Sequence, residues 1–517
     1  MKRKIIACLF IALPLLSAAQ KKDKSAAAAA ASITAADMKK HLYIIASKEM
    51  EGRDTPSPGL EKAANYIEEH FKSLGLLPGN KGSFRQQYPL YKDSALTSSV
   101  KVNGTSFEVF KDFQPASTNF SAEMRFSEIV FAGYGIVDDK RDDYKELDVA
   151  GKLVLIIDGA PADYKPTATV RGQAAPPSSS FGKMTTASKK GAAAMMVVYT
   201  NFPRKLTPMN TNWSMRGGFM AKQSPFVFNI SADIAVAIMG EDGKNIFDKL
   251  KAGSLSSKTY NAETELSYAK ATKTTLVSNV LGMIEGTDKK DEYVFLTSHY
   301  DHVGKRGDSV IYYGADDDGS GTTGVLELAE AFAKAKAAGK GPRRTIVFMT
   351  VSGEEKGLWG SEYYSNHPIF PLEKTSVDLN IDMIGRIGTE YLKEKDSTNY
   401  VYIIGDDKLS TDLATITDKV NGTYMKMKLD RKYNDPNDPN RFYFRSDHYN
   451  FAQKGVPIIF YFNGVHADYH KPTDTPDKIN YKLMAKRGQL VFYTAWEMAN
   501  REEMMKRDIQ LEKQKGF

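Results

Sequence analysis

Residues 344–357 read RTIVFMTVSGEEKG, an apolar run that ends in two adjacent glutamates. Residues 344–350 have the length and composition of a buried β-strand. Glu354 and Glu355 then lie at the end of that strand, where like charges repel each other and resist desolvation. Such a pair needs either full solvation in a turn or a cation nearby, and the rest of the chain has to decide between the two.

Similar apolar runs recur on both sides of this strand. They read YVFLTSH, VDLNIDMIG, YVYIIG and VPIIFYFNG and begin at residues 293, 377, 400 and 456. The segment 322–339, TTGVLELAEAFAKAKAAG, instead has the amphipathic pattern of a helix. Continuous apolar strands that alternate with amphipathic helices predict an α/β fold, with a mostly parallel sheet covered by helices on both faces.

Acidic and histidine side chains follow these runs. In sheets of this kind, chemistry gathers at the carboxyl ends of the strands. Five strand or loop ends carry such residues, namely His299 with Asp301, the turn Asp316, Asp317 and Asp318, the pair Glu354 and Glu355, then Asp382, and finally His466 with His470. A single strand-end aspartate is usually a turn or a helix cap. No structural requirement places acids at all five ends, so a metal centre explains the set better.

The chemistry of these residues favours two metal ions. Cys8 is the only cysteine, so a metal site must use histidine and carboxylate ligands. Three carboxylates and one hydroxide balance two divalent cations, and two neutral imidazoles complete the ligand set. Two cations about 3.5–4 Å apart need a bridging ligand. Nitrogen and oxygen ligands suit zinc, although cobalt and manganese also fit.

The first twenty residues, MKRKIIACLFIALPLLSAAQ, are typical of a secretory signal. They have a basic start, a short apolar stretch and small residues, with Ser17 and Ala19 before the cleavage point. The apolar stretch is too short for a membrane anchor, and no later segment has the pattern of a membrane span. We therefore expect export to the periplasm or the cell exterior.

Chain length and charge limit the number of compact units and the kinds of binding partner that we expect. A chain of 517 residues can form two or three compact units. Its 42% hydrophobic and 26% charged residues are ordinary for a globular protein. Three of the net +7 charges belong to Lys2, Arg3 and Lys4, so the rest of the chain offers no argument for binding nucleic acid or a membrane surface.

Residues 126–265 differ from the rest of the chain in their sequence pattern. Short β-rich runs alternate with Pro/Gly-rich loops, and one helix is predicted at 181–192. The run SPFVFNISADIAVAIM, residues 224–239, is interpreted as one of the β-rich runs. The pattern predicts a small inserted α/β unit. Before it, helices are predicted within 33–47, capped by Thr34, and within 60–75, ending at Gly75.

Five motifs of this chain resemble those of a known protein family. HYDHVG, GADDDGSG, GEEKGLWGS, NIDMIG and YHKPTDTPDKI, in this order, resemble the motifs of co-catalytic zinc aminopeptidases of the bacterial leucyl aminopeptidase type. Glutamate carboxypeptidase and the transferrin receptor ectodomain belong to the same superfamily. The resemblance covers roughly residues 34–500, and residues 126–265 resemble the protease-associated domain inserted in such enzymes.

The resemblance implies an α/β fold with a mostly parallel mixed sheet between helices and a small β-rich insert. Together with the sequence patterns above, it divides the chain into six segments. These are a signal peptide (1–19), a flexible tether (20–33), the N-terminal part of the peptidase domain (34–125), the protease-associated insert (126–265), the catalytic zinc peptidase domain (266–505) and a charged tail (506–517). The stretch from residue 501 is interpreted as a charged helix end.

The metal ligands are implied residue by residue. His299 and Asp382 would bind one zinc ion. Glu355 and His470 would bind the other, and Asp317 would bridge the two.

The same resemblance assigns roles around the metals. Glu354 would be the general base, and Asp301 would orient the first histidine ligand. Tyr443, in FYFRSDH, would donate its hydroxyl to the oxyanion. The peptide bond between Asp317 and Asp318 is expected to be cis.

The implied function is an exported zinc aminopeptidase that removes N-terminal residues from peptides by two-metal hydrolysis. A carboxypeptidase on the same fold stays open, because Arg386, Arg441 or Arg445 could bind a free carboxylate. A single-zinc acyltransferase related to glutaminyl cyclase is less well matched, since both ligand sets are present. The oligomeric state is left open, with a homodimer as one option.

The other histidines are predicted to have less direct roles. His302 and His466 flank the ligands, where they could support the ligands or belong to the loops. His448 is expected near the pocket. Three further histidines are expected at the surface, namely His41, His70 and His367.

Overall fold

The computed structural model describes residues 22–117, 121–165, 175–203, 212–215 and 225–511, so the predicted signal peptide lies outside the described residues. The helices are α1 (Lys24–Ala30), α2 (Ala35–Ile45), α3 (Pro58–Ser73), α4 (Ser180–Lys189), α5 (Ala232–Met239), α6 (Ile246–Lys251), α7 (Gly319–Ala337), α8 (Trp359–Asn366), α9 (Leu413–Tyr424), α10 (His448–Ala452) and α11 (Tyr481–Asn500). Among the described residues, no helix is both long enough and apolar enough to cross a membrane.

The strands alternate with these helices along much of the chain. They are β1 (Leu77–Pro78), β2 (Arg85–Val102), β3 (Thr105–Phe107), β4 (Phe113–Ser117), β5 (Ala122–Phe131), β6 (Val137–Asp138), β7 (Arg141–Asp142), β8 (Leu153–Ile157), β9 (Ala194–Val198), β10 (Phe226–Ile230), β11 (Lys258–Ile284), β12 (Lys289–His299), β13 (Lys305–Arg306), β14 (Val310–Ile311), β15 (Arg344–Val351), β16 (Thr375–Ile381), β17 (Tyr400–Ile404), β18 (Lys428–Asp430) and β19 (Ile458–Phe462).

The chain forms two compact units. The first contains residues 22–88 and 277–511, and the second contains residues 89–276. The second unit extends beyond both ends of the insert predicted at 126–265. The reason is that Val100 and Phe113 are buried in the same apolar core as Leu153, and the sequence pattern does not show this shared burial. The identity of this unit as a protease-associated domain stays a prediction.

The sheet of the first unit has the strand order β18-β17-β19-β16-β12-β15-β11. The four strands β19, β16, β12 and β15 are mutually parallel, while β17 pairs antiparallel with β19 and β11 pairs antiparallel with β15. The predicted mostly parallel mixed sheet is therefore confirmed. Every residue of β15 and β16 is buried, as expected for central strands with both faces covered.

Helix α7 is placed against the sheet by its first turn. The side chain of Asp318 caps the helix by accepting the Gly321 N–H at 2.8 Å. A side chain at Gly321 would lie 2.2 Å from the carbonyl oxygen of Ile381, so glycine lets the helix approach the end of β16. The helix start and the strand end are thereby held together.

The tether predicted at 20–33 contains a helix in the described part. Asp23 caps α1 by accepting backbone N–H groups, and Ala26, Ala29 and Ala30 are buried. Asp23 also accepts the Trp496 indole N–H at 3.0 Å. Alanine has the highest helix propensity, and burial of this alanine face supplies the stability that a short isolated helix lacks. The prediction of a flexible tether is wrong for residues 24–30.

The second unit is also α/β. Strands β5, β8, β9 and β10 are parallel in that order, and β4 pairs antiparallel with β10. Residues 224–239, interpreted as a β-rich run, contain strand β10 followed by helix α5. A short apolar run does not distinguish a strand from a buried helix, and here one run contains both.

The chain leaves helical structure after Asn500. Residues 501–511 are not helical and lie along the first unit, where the Ile509 N–H donates to the Leu409 carbonyl and Asp508 accepts from the Thr411 hydroxyl at 2.7 Å. The interpretation of the stretch from residue 501 as a charged helix end is therefore wrong for residues 501–511.

Candidate metal centre

The acidic and histidine side chains predicted to act together meet at one edge of the first unit's sheet. Strands β12, β15, β16 and β19 are adjacent and parallel, so their carboxyl ends lie side by side. The loops that follow these strands, together with the turn before α7, bring seven predicted residues into one cluster, namely His299, Asp301, Asp317, Glu354, Glu355, Asp382 and His470.

Asp317 lies between two histidine–carboxylate pairs. Its Oδ1 is 3.3 Å from His299 Nε2, and its Oδ2 is 2.9 Å from His470 Nε2. His299 Nε2 is 3.7 Å from Asp382 Oδ1, whereas His470 Nε2 is 3.2 Å from Glu355 Oε2. One carboxylate therefore presents one oxygen to each pair, as a ligand that bridges two cations would.

The electrostatics keep this central carboxylate ionised. Burial raises the pKa of Asp317, but the adjacent imidazoles of His299 and His470 outweigh burial and hold the pKa well below its usual range. An ionised carboxylate is the form that binds metal.

The donor atoms fit a pair of metal ions. His299 Nε2, Asp317 Oδ2 and Glu355 Oε1 are buried and have no well-aligned hydrogen bond to any described residue. Buried polar atoms without such partners are costly unless a cation satisfies them. The set contains imidazole nitrogen and carboxylate oxygen without thiolate, which suits zinc.

Asp301 contacts His299 at Nδ1, the ring nitrogen that faces away from Asp317. The His299 Nδ1–H donates to the Asp301 backbone carbonyl at 3.1 Å, and Asp301 Oδ1 lies 3.6 Å from the same nitrogen. The Asp301 carboxylate is itself held by the Glu354 backbone N–H at 3.2 Å and the Thr55 hydroxyl at 3.1 Å. This arrangement fixes the imidazole so that Nε2 faces the cluster.

The two adjacent glutamates point to different partners. Glu355 Oε1 lies 2.8 Å from His302 Nδ1. Burial and Asp317 raise the pKa of Glu355, but the adjacent imidazoles of His302 and His470 outweigh them and leave it at about 2. Glu354 instead lines the pocket, with Oε2 3.9 Å from His299 Nε2, and burial raises its pKa well above the usual range. One glutamate is thus held as an anion and the other favours a proton.

The aspartate turn is held from two sides. The peptide bond between Asp317 and Asp318 is cis, as expected. Asp474 Oδ2 accepts the backbone N–H groups of Asp316 at 2.9 Å and of Asp317 at 3.2 Å. Asp318 Oδ2 accepts the His299 N–H at 3.2 Å. The central carboxylate is therefore carried on a backbone with several fixed contacts.

Sequence reasoning missed three supporting residues. His302, left undecided between a supporting and a loop role, contacts Glu355 directly. Asp474 lies inside the motif YHKPTDTPDKI but was given no role. Arg53 belongs to none of the five motifs, yet it is fully buried and donates to four backbone carbonyls, those of Ile45, Tyr300, Tyr313 and Gly314.

Tyr443 does not lie where the prediction requires it. Its side chain is buried in the apolar core of the first unit, and its hydroxyl has no hydrogen-bond partner among the described residues. Tyr469 is the tyrosine that lines the pocket, and Arg445 donates to its hydroxyl oxygen at 3.3 Å. The local turn Phe442–Phe444 directs Phe442 toward the pocket, and this leaves Tyr443 in the core.

The pocket beside the centre has an apolar wall. Asp317, Glu354 and Asp382 lie at its acidic side. The apolar lining consists of Met383, Phe442, Phe460, Phe462 and Val465. Of the three arginines considered for a carboxylate, Arg445 lines this pocket. Arg386 is paired with Asp468 at 2.9 Å and with Asp474 at 3.6 Å.

The remaining histidines are divided between surface and interior. His367 is exposed, as predicted. His448 is fully buried, and its ring donates to the Tyr443 carbonyl at 2.8 Å. His466 Nε2 lies 3.1 Å from Asp316 Oδ2, which supports the aspartate turn. The prediction of a surface position is wrong for His41, which is 8% exposed, and His70 is also largely covered.

Comparison with known proteins agrees with this geometry. Residues 279–495 match the model of peptidase family M28. The match contains the strand ends, the turn before α7 and all five predicted metal ligands.

Individual relatives match over part of their length. A protein named "Probable zinc metalloprotease" from Pyrenophora tritici-repentis is 28% identical over 272 residues, 44% of this chain and 53% of its own. An aminopeptidase of Bacillus subtilis is 24% identical over 330 residues, 61% of this chain and 60% of its own. The chain thus spans less than two thirds of the length of these relatives. Among solved structures, an aminopeptidase from Aneurinibacillus sp. strain AM-1 is 20% identical, with 94% of this chain and 98% of that chain covered and a TM-score of 0.49.

Proposed function

We propose that this protein is a zinc-dependent aminopeptidase that hydrolyses the N-terminal peptide bond of its substrates with two metal ions. The observation that carries the proposal is the position of Asp317, which directs one carboxylate oxygen to each of two histidine–carboxylate pairs. The names of the relatives, a zinc metalloprotease and an aminopeptidase, support the same chemistry.

The chain's own residues would hold the ions in two sets joined by Asp317. His299 with Asp382 would hold one, and His470 with Glu355 the other. When bound, two zinc ions would lower the pKa of a shared water and polarise the substrate carbonyl.

Glu354 would move the proton. Its carboxylate lines the pocket beside the cluster but lies beyond hydrogen-bond range of His299 Nε2, at 3.9 Å. Its raised pKa suits a group that accepts a proton from water and passes it to the leaving amine. Asp301 holds the Glu354 backbone N–H, so the base and His299 share one support.

Tyr469 would stabilise the oxyanion in place of Tyr443. Burial, with a smaller effect of Asp317, raises the pKa of Tyr469 above its usual range, so the hydroxyl keeps the proton that it would donate. Arg445 donates to the same oxygen, and this contact makes the O–H a stronger donor.

Charge favours cleavage from the amino end. The three carboxylate ligands and a hydroxide would balance two divalent ions, and Asp301 adds one more buried carboxylate beside the centre. The remaining negative charge favours a substrate ammonium group. The apolar pocket wall favours an apolar first side chain. Arg445 is the specific observation that supports the carboxypeptidase alternative, because it could bind a substrate carboxylate at the same pocket.

The test is a panel of zinc-loaded reactions on dipeptides with either end blocked. We expect hydrolysis of carboxy-blocked dipeptides and none of amino-blocked ones, loss of activity after chelation and recovery with zinc. The reverse preference would identify a carboxypeptidase, and cyclisation of N-terminal glutamine without hydrolysis would identify an acyltransferase. Full activity after exhaustive chelation would refute the metal mechanism.

Export is part of the proposal and rests on residues 1–19. N-terminal sequencing of the protein from the native cells should find Gln20 first. An intact N-terminus in the cytoplasm would contradict export.

A further inference from the structure

A second group of histidine and glutamate side chains lies on three helices of the first unit, outside the centre described above. His41 is on α2, His70 is on α3, and Glu327 and Glu330 are on α7. The proposed reaction uses none of them. Glu327 is 1% exposed, although an unpaired carboxylate is rarely buried.

The distances between the facing atoms are those of a metal's ligands. Glu330 Oε1 lies 3.3 Å from His41 Nε2 and 3.5 Å from His70 Nε2. Glu327 Oε1 lies 3.7 Å from His41 Nε2. In a tetrahedral zinc site with bonds of about 2.0–2.2 Å, neighbouring ligand atoms are about 3.3–3.6 Å apart. The three distances therefore lie within or close to the range for a single ion.

Several of these atoms lack a partner. The side chain of Glu327 is completely buried, and neither of its oxygens accepts a well-aligned hydrogen bond among the described residues. The backbone of Thr34 lowers the pKa of Glu327, but burial outweighs this effect. His70 Nε2 is buried and has no hydrogen-bond partner in the described part of the chain. Burial, with the neighbouring Glu330, raises the pKa of Glu327 to about 8, so a nearby divalent cation would relieve a real electrostatic cost.

The surrounding contacts orient the ligand atoms inward. Tyr66 OH lies 2.7 Å from His41 Nδ1, so the Nδ1–H can donate to it and leave the Nε2 lone pair free toward the cluster. Lys334 donates to Glu330 Oε2 at 3.2 Å, which leaves Oε1 for the two histidines. His41, His70 and Glu330 thus each present one atom to the same point, and Glu327 Oε1 approaches the group from the His41 side.

We propose that His41, His70, Glu327 and Glu330 bind one divalent transition-metal ion, with zinc as the best match. Two carboxylates balance the ion's charge, and two neutral imidazoles complete a four-ligand set. A set supplied entirely by protein is typical of a structural site. Such an ion would fix α2 and α3 to α7, the helix that follows the Asp317 turn. The proposal does not depend on the proposed function.

The test counts zinc ions per chain in the full-length protein. Wild type and the variants His70→Gln and Glu327→Gln are equilibrated with zinc, desalted and measured by elemental analysis. The matched control is Glu69→Gln, which changes an exposed glutamate beside His70. Each ligand variant should contain one equivalent less zinc than wild type and the control. Because the count is a difference, it does not depend on how many ions the other centre holds.

A second measurement separates lost metal from lost fold. In excess chelator, the variants should unfold at a temperature close to that of wild type. Added zinc should then raise the Tm of wild type further than that of either variant. Equal zinc content in wild type and both folded variants would overturn the proposal, as would an equal rise in Tm.

Discussion

Replacing Glu354 with Gln tests the division of work between the two adjacent glutamates. The substitution keeps the size of the side chain and removes its ability to accept a proton at the carboxylate. Glu354 Oε2 is 3.9 Å from His299 Nε2, so no hydrogen bond to that ligand is lost. We therefore expect Glu354→Gln to keep its metal and its fold while kcat falls by about 10²–10⁴-fold, the effect of a lost general base.

Glu355→Gln should behave in the opposite way. Its oxygens lie 2.8 Å from His302 and 3.2 Å from His470, and charge-assisted contacts of this kind contribute about 1.5–3 kcal/mol each. Removing the charge should weaken binding of one ion, and activity should partly return in excess zinc.

The assay measures zinc content and kcat for both variants at several zinc concentrations. Glu373→Gln, an exposed glutamate away from the centre, is the matched control. Loss of metal from the Glu354 variant with retention in the Glu355 variant would show that the two roles are reversed. If neither variant changed metal content or rate, the pair would be a solvated turn and the reasoning would be refuted.

Asp317→Asn should lower zinc content at both positions, because this residue alone faces both histidine–carboxylate pairs; a folded variant that kept both ions and normal turnover would rule out the bridge. Tyr469→Phe should lower kcat by about 10²–10³-fold, the effect of one lost oxyanion donor, while Tyr443→Phe should have little effect. A larger loss from the second variant would return the role to Tyr443. Burial raises the pKa of Asp378 to about 8, so the folded protein keeps a proton that the unfolded chain loses near pH 4, and this group's contribution to stability falls as pH rises between those values. In Asp378→Asn the decline in Tm from pH 5 to pH 8 should be smaller than in wild type, and an identical decline would contradict this sign.

Much of the fold could be predicted because buried parallel strands leave continuous apolar runs. The runs that begin at 293, 377 and 456 became β12, β16 and β19, and the residues at their ends meet in the structure. Boundaries set by shared burial could not be predicted. Residues 24–30 form a helix because an alanine face is buried, and a low-complexity pattern does not reveal the surface that buries it.

The metal ligands were easier to predict than the residues that support them. His299 and Asp317 follow recognisable motifs, whereas Tyr443 shows that a matching motif position does not fix a side chain's direction. The short spacing between His299 and His302 indicates that His302 lies near the metal ligands. Its contact with Glu355 could not be predicted, because it depends on how two loops meet.

Arg53 has a consequence for how this protein can be divided into parts. The family match covers residues 279–495 and therefore excludes Arg53, which donates to the carbonyls of Tyr300, Tyr313 and Gly314 within that region. Cutting the chain at the edge of the match would leave these buried acceptors without donors, at about 1–3 kcal/mol each. The matched region therefore depends on residues outside it for its buried hydrogen bonds. A shortened form that keeps the site intact would have to retain the N-terminal helices as well.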